Sequence, residues 1–289
     1  MSRSAAPSSY RVFDPPTATI EPVEAPRWFV AVPRSLQEAS EQATRSVTGA
    51  LRAGERRLLV EASLAEFEPT GTRFRFLELL AFTQQIGLAM LERTDLFPPA
   101  RPHAKLLFSA MSDATLAGGC IQYNNLPVAT LGSQSAMSAR DGAFIVVAPR
   151  VSGGPPQKQA EMQRRLELAV CDVLSSAGSR PVVVVNPRFG ASAAVDACQT
   201  AYLVRPLSVS FLQDNLAHEM SKGSACLLRC YPHMWSVMVD WASSGDWSYS
   251  GRFSSCPAPA QLEEIVRTGL MRERFKGQPV TEVAVEPEQ

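Results

Sequence analysis

The feature that most constrains the fold is a set of short, uninterrupted apolar runs separated by segments of helix length. Residues 181–185 read Pro-Val-Val-Val-Val, and residues 143–148 read Ala-Phe-Ile-Val-Val-Ala. Neither run alternates apolar with polar residues, as the strands of a half-solvated sheet do. Strands that are apolar throughout are typical of a parallel sheet covered by helices on both faces. The sequence therefore predicts a three-layer α/β fold with a mainly parallel, Rossmann-like sheet.

Helical patterns and further strands surround these two runs. Ser35 and Glu38 form a capping box, in which the hydroxyl and the carboxylate each accept a hydrogen bond from a free backbone N–H. Apolar residues at helical spacing follow it, and Gly54 provides the stop. The pattern predicts further helices over residues 73–93 and 157–177, and further strands over residues 57–61 and 104–108.

The spacing of the strands changes from Ala201 onward. Four strands follow closely, over residues 202–207, 225–231, 235–241 and 247–253. A turn at residues 243–246 joins the last two as a hairpin. The pattern predicts an antiparallel C-terminal extension of the same sheet, followed by a closing helix around Leu262–Leu270.

Two arginines, Arg205 and Arg229, stand inside these apolar strands. An arginine within a covered sheet needs a partner for its charge or a place at an edge. We expect Glu61 or Asp240 to form structural ion pairs with them. A contact with an anion or with a partner protein is the alternative.

The two ends of the chain differ in composition from its body. Residues 1–26 contain five prolines and few periodic apolar residues, so we expect either a disordered tail or the remnant of a transit peptide. Residues 27–272 are expected to form a single α/β domain. Residues 273–289 are expected to form a loose acidic tail.

Composition argues against several classes of protein. The formal net charge is zero, whereas proteins that bind nucleic acid usually carry a clustered basic face. No apolar run reaches the length of a membrane span. The six cysteines lack C-x-x-C spacing and the three histidines are far apart, so neither a metal site nor a cofactor is predicted.

Familiar nucleotide and hydrolase motifs do not fit. Lys158 follows two glycines, but with the wrong spacing for a phosphate-binding P-loop and with two intervening prolines. No G-x-G-x-x-G occurs. Residues 132–136 lack the second glycine of a G-x-S-x-G nucleophile elbow. The sequence therefore assigns no catalytic residue.

Polar residues follow three of the predicted parallel strands. Asp113 comes after residues 104–108, Arg150 after 143–148, and Asn186 and Arg188 after 181–185. Ligands of open parallel sheets bind beyond the carboxyl ends of the strands, so these four residues are candidates for one ligand-binding crevice. Arg188 and the helix N-terminus near Pro156 would attract an anion there. The alternative is that the same residues only form turns.

A second candidate surface lies in the C-terminal hairpin. Trp247 and Tyr249 are alternate residues of its last strand, so both side chains point to the same face. If that face is exposed, its aromatic side chains suit a protein contact.

Three ordered motifs carry a family resemblance: VVVVNPRFG at residues 182–190, AYLVRPL at 201–207 and LLRCYPHMW at 227–235. With them, the chain resembles a plant, algal and cyanobacterial family of domains of unknown function over residues 25–272. That family includes the chloroplast protein LOW PSII ACCUMULATION 3 and the C-terminal region of a chloroplast adenylate kinase. This chain departs from the family pattern at one strand end, because Phe108 and Asp113 are further apart than in the usual Phe-x-Asp.

The resemblance implies a non-enzymatic chloroplast protein, stromal or peripheral to the thylakoid, that acts in assembly or stabilisation of a photosystem. Its expected partners are photosynthetic complex subunits or assembly factors. One alternative is a small-molecule module that binds a nucleotide or phosphorylated ligand at the carboxyl ends of the parallel strands. A further alternative is a hydrolase or transferase that uses Asp113 and Asn186.

Overall fold

A computed structural model describes residues 30–68, 71–92, 103–151, 155–188, 192–207 and 223–275. The predicted tail at residues 1–26 and the C-terminal residues 276–289 lie outside this part of the chain. The elements, in chain order, are α1 (Leu36–Arg52), β1 (Arg57–Ala62), α2 (Phe76–Leu91), β2 (His103–Phe108), α3 (Met111–Cys120), β3 (Val128–Thr130), β4 (Asp141–Val147), α4 (Pro156–Ser176), β5 (Val182–Val185), α5 (Ala193–Asp196), β6 (Gln199–Leu207), β7 (Ser224–Cys230), β8 (Trp235–Asp240), β9 (Ser248–Phe253) and α6 (Pro259–Phe275).

The strands of the described residues form one nine-stranded sheet in the order β3-β2-β4-β5-β1-β6-β7-β8-β9. The pairs from β3 to β6 are parallel. The pairs from β6 to β9 are antiparallel. The predicted parallel sheet with an antiparallel C-terminal extension is confirmed.

Helices cover both faces of the sheet. Because successive side chains of a strand point to opposite faces, neighbouring residues of β1 join different cores. Leu58 and Val60 of β1 join one core with residues of α1, α2 and α3. Leu59, which points the other way, packs with α4. On that second face, α6 covers the antiparallel strands through Val266 and Leu270. In this three-layer arrangement the candidate residues predicted from the sequence follow the carboxyl ends of β2, β4 and β5.

The N-terminus of α1 differs from the predicted capping box in one bond. The Ser35 hydroxyl accepts from the Glu38 backbone N–H at 3.1 Å, as expected. The Glu38 carboxylate, however, accepts from the backbone N–H of Arg34 at 2.6 Å, one residue before the cap. Both bonds satisfy amides near the helix start that have no intrahelical acceptor.

Several boundaries and elements differ from the sequence prediction. Helix α3 and strand β3 occupy a region for which no element was predicted, and Asp113 lies in the first turn of α3. Helix α6 continues to Phe275, three residues into the segment expected to be a loose tail. No helix of the described residues combines the length and apolarity needed to cross a bilayer.

Candidate functional site

The carboxyl ends of β2, β4, β5 and β1 meet at one edge of the sheet, because these four strands are parallel neighbours. The chain leaves β2 and β1 toward the face of α3 and α2, and leaves β4 and β5 toward the face of α4 and α5. Neighbouring strands therefore part toward opposite faces at two places, β2/β4 and β5/β1. Crevices at such switch points are where ligands of open α/β sheets bind.

The β2/β4 switch point is bridged by Asp113 and Arg150. Their side chains form an ion pair, with Nη2 of Arg150 3.2 Å from Oδ2 of Asp113. The Ser109 hydroxyl donates to the carbonyl oxygen of Arg150 at 3.0 Å and accepts from its N–H at 3.3 Å. The guanidinium also lies 5.4 Å from the centre of the Phe74 ring. The charge of Arg150 is therefore balanced by a group of the protein itself.

The β5/β1 switch point is closed by Asn186. Its side-chain oxygen accepts from the Ala62 N–H at 2.6 Å, and its side-chain nitrogen donates to the Ala62 carbonyl at 3.2 Å. Its own N–H donates to the carbonyl of Val60 at 2.8 Å. Asn186 is 2% exposed and has a φ of 45°, in the left-handed region that asparagine enters more readily than most residues. It thus continues the β5–β1 ladder beyond the last strand residue.

Arg188 connects the end of β5 to the turn after β1. Its Nη1 lies 3.0 Å from Oε2 of Glu68, and its Nη2 donates to the carbonyl of Phe67 at 3.2 Å. Its backbone N–H donates to the carbonyl of Pro149 at 3.0 Å. The Nε of Arg188 is buried and has no hydrogen-bond acceptor among the described residues.

All four candidate residues thus lie where the parallel strands have their carboxyl ends, which we call the carboxyl edge of the sheet. Each of them, however, bonds to another part of the protein. Sequence reasoning missed Glu68 and Ser109 as their partners. A signal was available, since each of the two follows the carboxyl end of a strand, β1 and β2. Whether any of the four binds a ligand stays a prediction.

The opposite edge of the sheet carries an open hollow of about 530 Å³ at the amino ends of β1 and β6. Arg57 lines it and donates to the carbonyls of Leu174, Gly178 and Arg180 at 2.7, 2.7 and 2.9 Å. These carbonyls belong to the end of α4 and the turn after it, so Arg57 is a C-terminal cap for that helix. Burial raises the pKa of the neighbouring Cys198 thiol to about 11, which keeps it protonated and unreactive near neutral pH.

Comparison with known families connects this fold to a group of proteins. A sequence profile of the family described as Domain of unknown function (DUF1995) matches residues 33–264. The chain belongs to this family. The match contains every strand of the described sheet and all four residues at the carboxyl edge. A search of the curated proteins finds no match.

Within the DUF1995 domain, the two strand arginines have different surroundings. Arg205 forms a bidentate pair with Glu61, through Nε–Oε1 at 2.9 Å and Nη2–Oε2 at 2.8 Å, so the predicted structural pair is confirmed. Arg229 is only 8% exposed, and its guanidinium carbon lies 5.8 and 6.0 Å from the ring centres of Tyr231 and Trp235. Burial lowers its pKa.

The expected structural ion pair of Arg229, with Glu61 or Asp240 as its partner, is wrong, because Glu61 pairs with Arg205. The Asp240 carboxylate accepts instead from the backbone N–H groups of Gly245, at 2.6 Å, and Ala242, at 3.1 Å. These bonds hold the β8–β9 turn. Among the described residues no carboxylate pairs with Arg229, and its Nε has no acceptor.

The predicted exposed aromatic face of the hairpin is also wrong. Tyr249 is paired with Met238 and is 7% exposed. Trp247 is partly buried against the same core. Both side chains point inward because that face of β8 and β9 joins the core rather than solvent. Large exposed apolar side chains of the described residues lie instead at six dispersed positions: Leu77, Met111, Leu116, Tyr123, Leu168 and Met234.

The described residues contain no group of three histidine, cysteine, aspartate or glutamate side chains that could hold a metal ion.

Proposed function

We propose that this protein is a non-enzymatic chloroplast protein that assists assembly or stabilisation of a photosynthetic complex through protein–protein contacts. The compartment and the complex come from the family resemblance described above. The observation that supports a contact role is that both switch points of the sheet are closed by the protein's own polar groups.

Ligand entry at either switch point would require existing bonds to break. At β2/β4, an anion would compete with the Asp113 carboxylate for Arg150. At β5/β1, any group entering the ladder would leave the buried N–H and C=O of Ala62 without the Asn186 amide. An unsatisfied buried backbone group costs about 1–3 kcal/mol. The arrangement therefore favours a rigid domain that acts through its surface.

Two measurements test this proposal. A fluorescent fusion of the full chain should accumulate in chloroplasts, and a location elsewhere would contradict the proposal. Tagged protein added to detergent-solubilised thylakoids should retain photosystem subunits, quantified by mass spectrometry against an equally tagged unrelated protein. Recovery of no subunit above that control would remove the assembly role.

One observation favours a second candidate, the nucleotide- or phosphate-binding module. The buried Nε of Arg188 lacks an acceptor within the described part of the chain, and Arg150 lies at the same edge. A phosphorylated ligand could accept from both arginines if it displaced Glu68 and Asp113.

Thermal unfolding with inorganic phosphate, ATP and sugar phosphates tests the second candidate. A ligand present at ten times its Kd should stabilise the fold by about 1.4 kcal/mol. The R188Q variant should lose that stabilisation. The absence of any ligand-dependent shift at millimolar concentration would exclude this module.

A further inference from the structure

Four charged side chains are buried in the part of the chain that the structure describes: Lys105, Asp141, Arg229 and Asp240. Three of them have partners within the protein. Lys105 lies 2.7 Å from the Asp141 carboxylate, and Asp240 accepts from the backbone N–H of Gly245 at 2.6 Å. Arg229 has no such partner among the described residues, and a buried charge without a partner is costly because it has lost its hydration shell.

The guanidinium of Arg229 is enclosed around one nitrogen and accessible at the others. Its Nε is sealed from solvent and has no acceptor among the described residues, whereas the two terminal nitrogens keep contact with solvent. The turn that follows β7, residues 231–234, reaches the surface, where Met234 is 41% exposed. A small group at this turn can therefore approach the terminal nitrogens without opening the sheet.

Aromatic and apolar side chains form the surroundings of this guanidinium. Its carbon lies 5.8 Å from the ring centre of Tyr231 and 6.0 Å from that of Trp235. Leu203 of β6 is the residue paired with Arg229 on the other side. The attraction between a cation and a ring face extends to about 6 Å, and it leaves the in-plane N–H donors of the guanidinium unused.

A carboxylate on a nearby strand does not fill this role. Glu61 lies two strands away in the same row of the sheet, but both of its oxygens accept from Arg205, at 2.7 and 2.8 Å. The arginines at the carboxyl edge differ from Arg229, since Arg150 and Arg188 each have a carboxylate partner. Arg229 thus retains donors and charge that a ligand can use.

We propose that Arg229, with the rings of Tyr231 and Trp235 beside it, binds the carboxylate group of a ligand with an apolar or aromatic body. The guanidinium offers one positive charge and parallel N–H donors that match the two oxygens of a carboxylate. A phosphate carries about two negative charges at neutral pH, which would leave an excess charge in an apolar setting. The two rings suit the apolar body of the ligand. We call these three residues the Arg229 site.

The Arg229 site is independent of both candidate functions described above. It lies in the antiparallel half of the sheet, on β7 and β8, whereas the four residues at the carboxyl edge belong to the parallel half. A failed thylakoid capture, or the absence of phosphate binding at Arg188, would leave it standing. Occupation of the site neutralises a buried charge of the folded protein, so the ligand also stabilises the fold.

A ligand-detected NMR titration of the full purified chain with benzoate tests the proposal. Benzoate joins one carboxylate to one ring, and benzamide has nearly the same shape without the charge. We expect benzoate to bind with a Kd on the order of 1 mM, as is usual for a ligand of this size. Benzamide should bind at least about tenfold more weakly, because it cannot form charge-assisted hydrogen bonds.

Three variants locate the binding. R229M removes the charge and keeps an apolar side chain, so Kd for benzoate should rise at least about tenfold while the ligand-free protein is as stable as before or more stable. R229K keeps the charge but not the paired donors, and should also raise Kd about tenfold. R165M is the matched control, because the Arg165 side chain is 75% exposed on α4, and it should bind benzoate like the unmodified chain.

Two sources of the carboxylate are distinguished by a second probe, N-acetyl-glycyl-phenylalanine. This dipeptide adds the backbone of a chain end to the same ring and carboxylate. Binding at least about tenfold tighter than that of benzoate would identify the ligand as the C-terminus of a protein. Equal or weaker binding would identify it as a free organic acid. Either result supports a carboxylate site at Arg229.

Several outcomes would overturn the proposal. One is the absence of benzoate binding up to about 20 mM, which is far above the expected Kd. Another is a folded R229M or R229K variant that binds benzoate as tightly as the unmodified chain. Inorganic phosphate that binds at Arg229 more tightly than benzoate would replace the carboxylate assignment. A loss of stability in ligand-free R229M would show that Arg229 has a partner within the chain. Circular dichroism checks the fold of each variant, and R229K carries the test if R229M misfolds.

Discussion

At the residue scale, Asn186 determines how the carboxyl edge is closed. It combines a left-handed backbone conformation with a side chain that accepts from, and donates to, the buried backbone of Ala62. Alanine meets neither requirement, whereas glycine meets the conformational one alone. The two substitutions therefore separate hydrogen bonding from backbone conformation.

We expect N186A to lower the free energy of unfolding by about 2–4 kcal/mol, from two lost hydrogen bonds and the unfavourable φ. N186G should lose the hydrogen bonds but avoid the conformational cost, and should be more stable than N186A by about 1 kcal/mol. Urea unfolding followed by circular dichroism measures both. A loss below about 1 kcal/mol for N186A would show that the bridge to Ala62 contributes little.

The residue scale also shows what sequence alone could predict of the candidate site. The positions of Asn186 and Arg188 were predictable, because they directly follow an apolar run. Their partners Ala62 and Glu68 were not predictable. Strand β1 precedes β5 by more than a hundred residues, and the sequence of neither strand indicates that the two are neighbours in the sheet. Arg205 and Glu61 were an easier pair, since each is the charged residue within an apolar strand.

At the element scale, the strands with long apolar runs were predicted to within a few residues. Helix α3 was missed because its sequence, MSDATLAGGC, contains two glycines in its last turn and has only two buried residues, Ala114 and Ala117. Strand β3 was missed because three residues are too few to show a period. Both elements are held by neighbours in space rather than by a strong local pattern.

One glycine in α6 and one in α3 allow the effect of packing on stability to be distinguished from the effect of helix propensity. A Cβ on Gly269 of α6 would lie 2.1 Å from Oγ and 2.9 Å from Cβ of Ser250 in β9. The helix can therefore rest directly on the sheet. Gly118 of α3 has no atom near its added Cβ, so it serves as the matched control.

We expect G269A to destabilise the protein by about 1–3 kcal/mol, because the overpacking outweighs the gain in helix propensity. G118A should be neutral or stabilising by up to about 1 kcal/mol, since it gains propensity without a clash. Thermal and urea unfolding of the two variants tests the pair. Equal stability changes would mean that α6 moves away from β9 at no cost.

At the scale of the whole molecule, the core between α1 and the sheet encloses three neutral ionisable groups. Tyr202, Cys226 and Cys230 are all buried there. Burial raises the pKa of the two thiols to about 12, from an ordinary value of 9.0. It also raises the pKa of the Tyr202 phenol well above its usual range. Because their pKa values are raised in the folded protein, these groups ionise in moderate alkali only when the protein unfolds.

The protein should therefore lose stability in alkali. Below pH 9 both folded and unfolded thiols hold their protons, so their contribution is fully present. Between about pH 9 and 12 the unfolded chain releases protons that the folded chain keeps, so the unfolded state binds fewer protons and stability falls as pH rises. Each such group contributes a slope of up to about 1.4 kcal/mol per pH unit.

Urea unfolding at intervals from pH 7 to 10.5 measures this slope. C226A should make it shallower by up to about 1.4 kcal/mol per pH unit, because one buried thiol no longer titrates on unfolding. C120A is the matched control, because Cys120 is exposed and its removal leaves the slope unchanged. If C226A and C120A gave the same slope as the unmodified chain, the alkaline loss would have to come from Tyr202 or from another part of the molecule. The comparison thus tests whether the helix layer over this half of the sheet keeps its thiols out of contact with water.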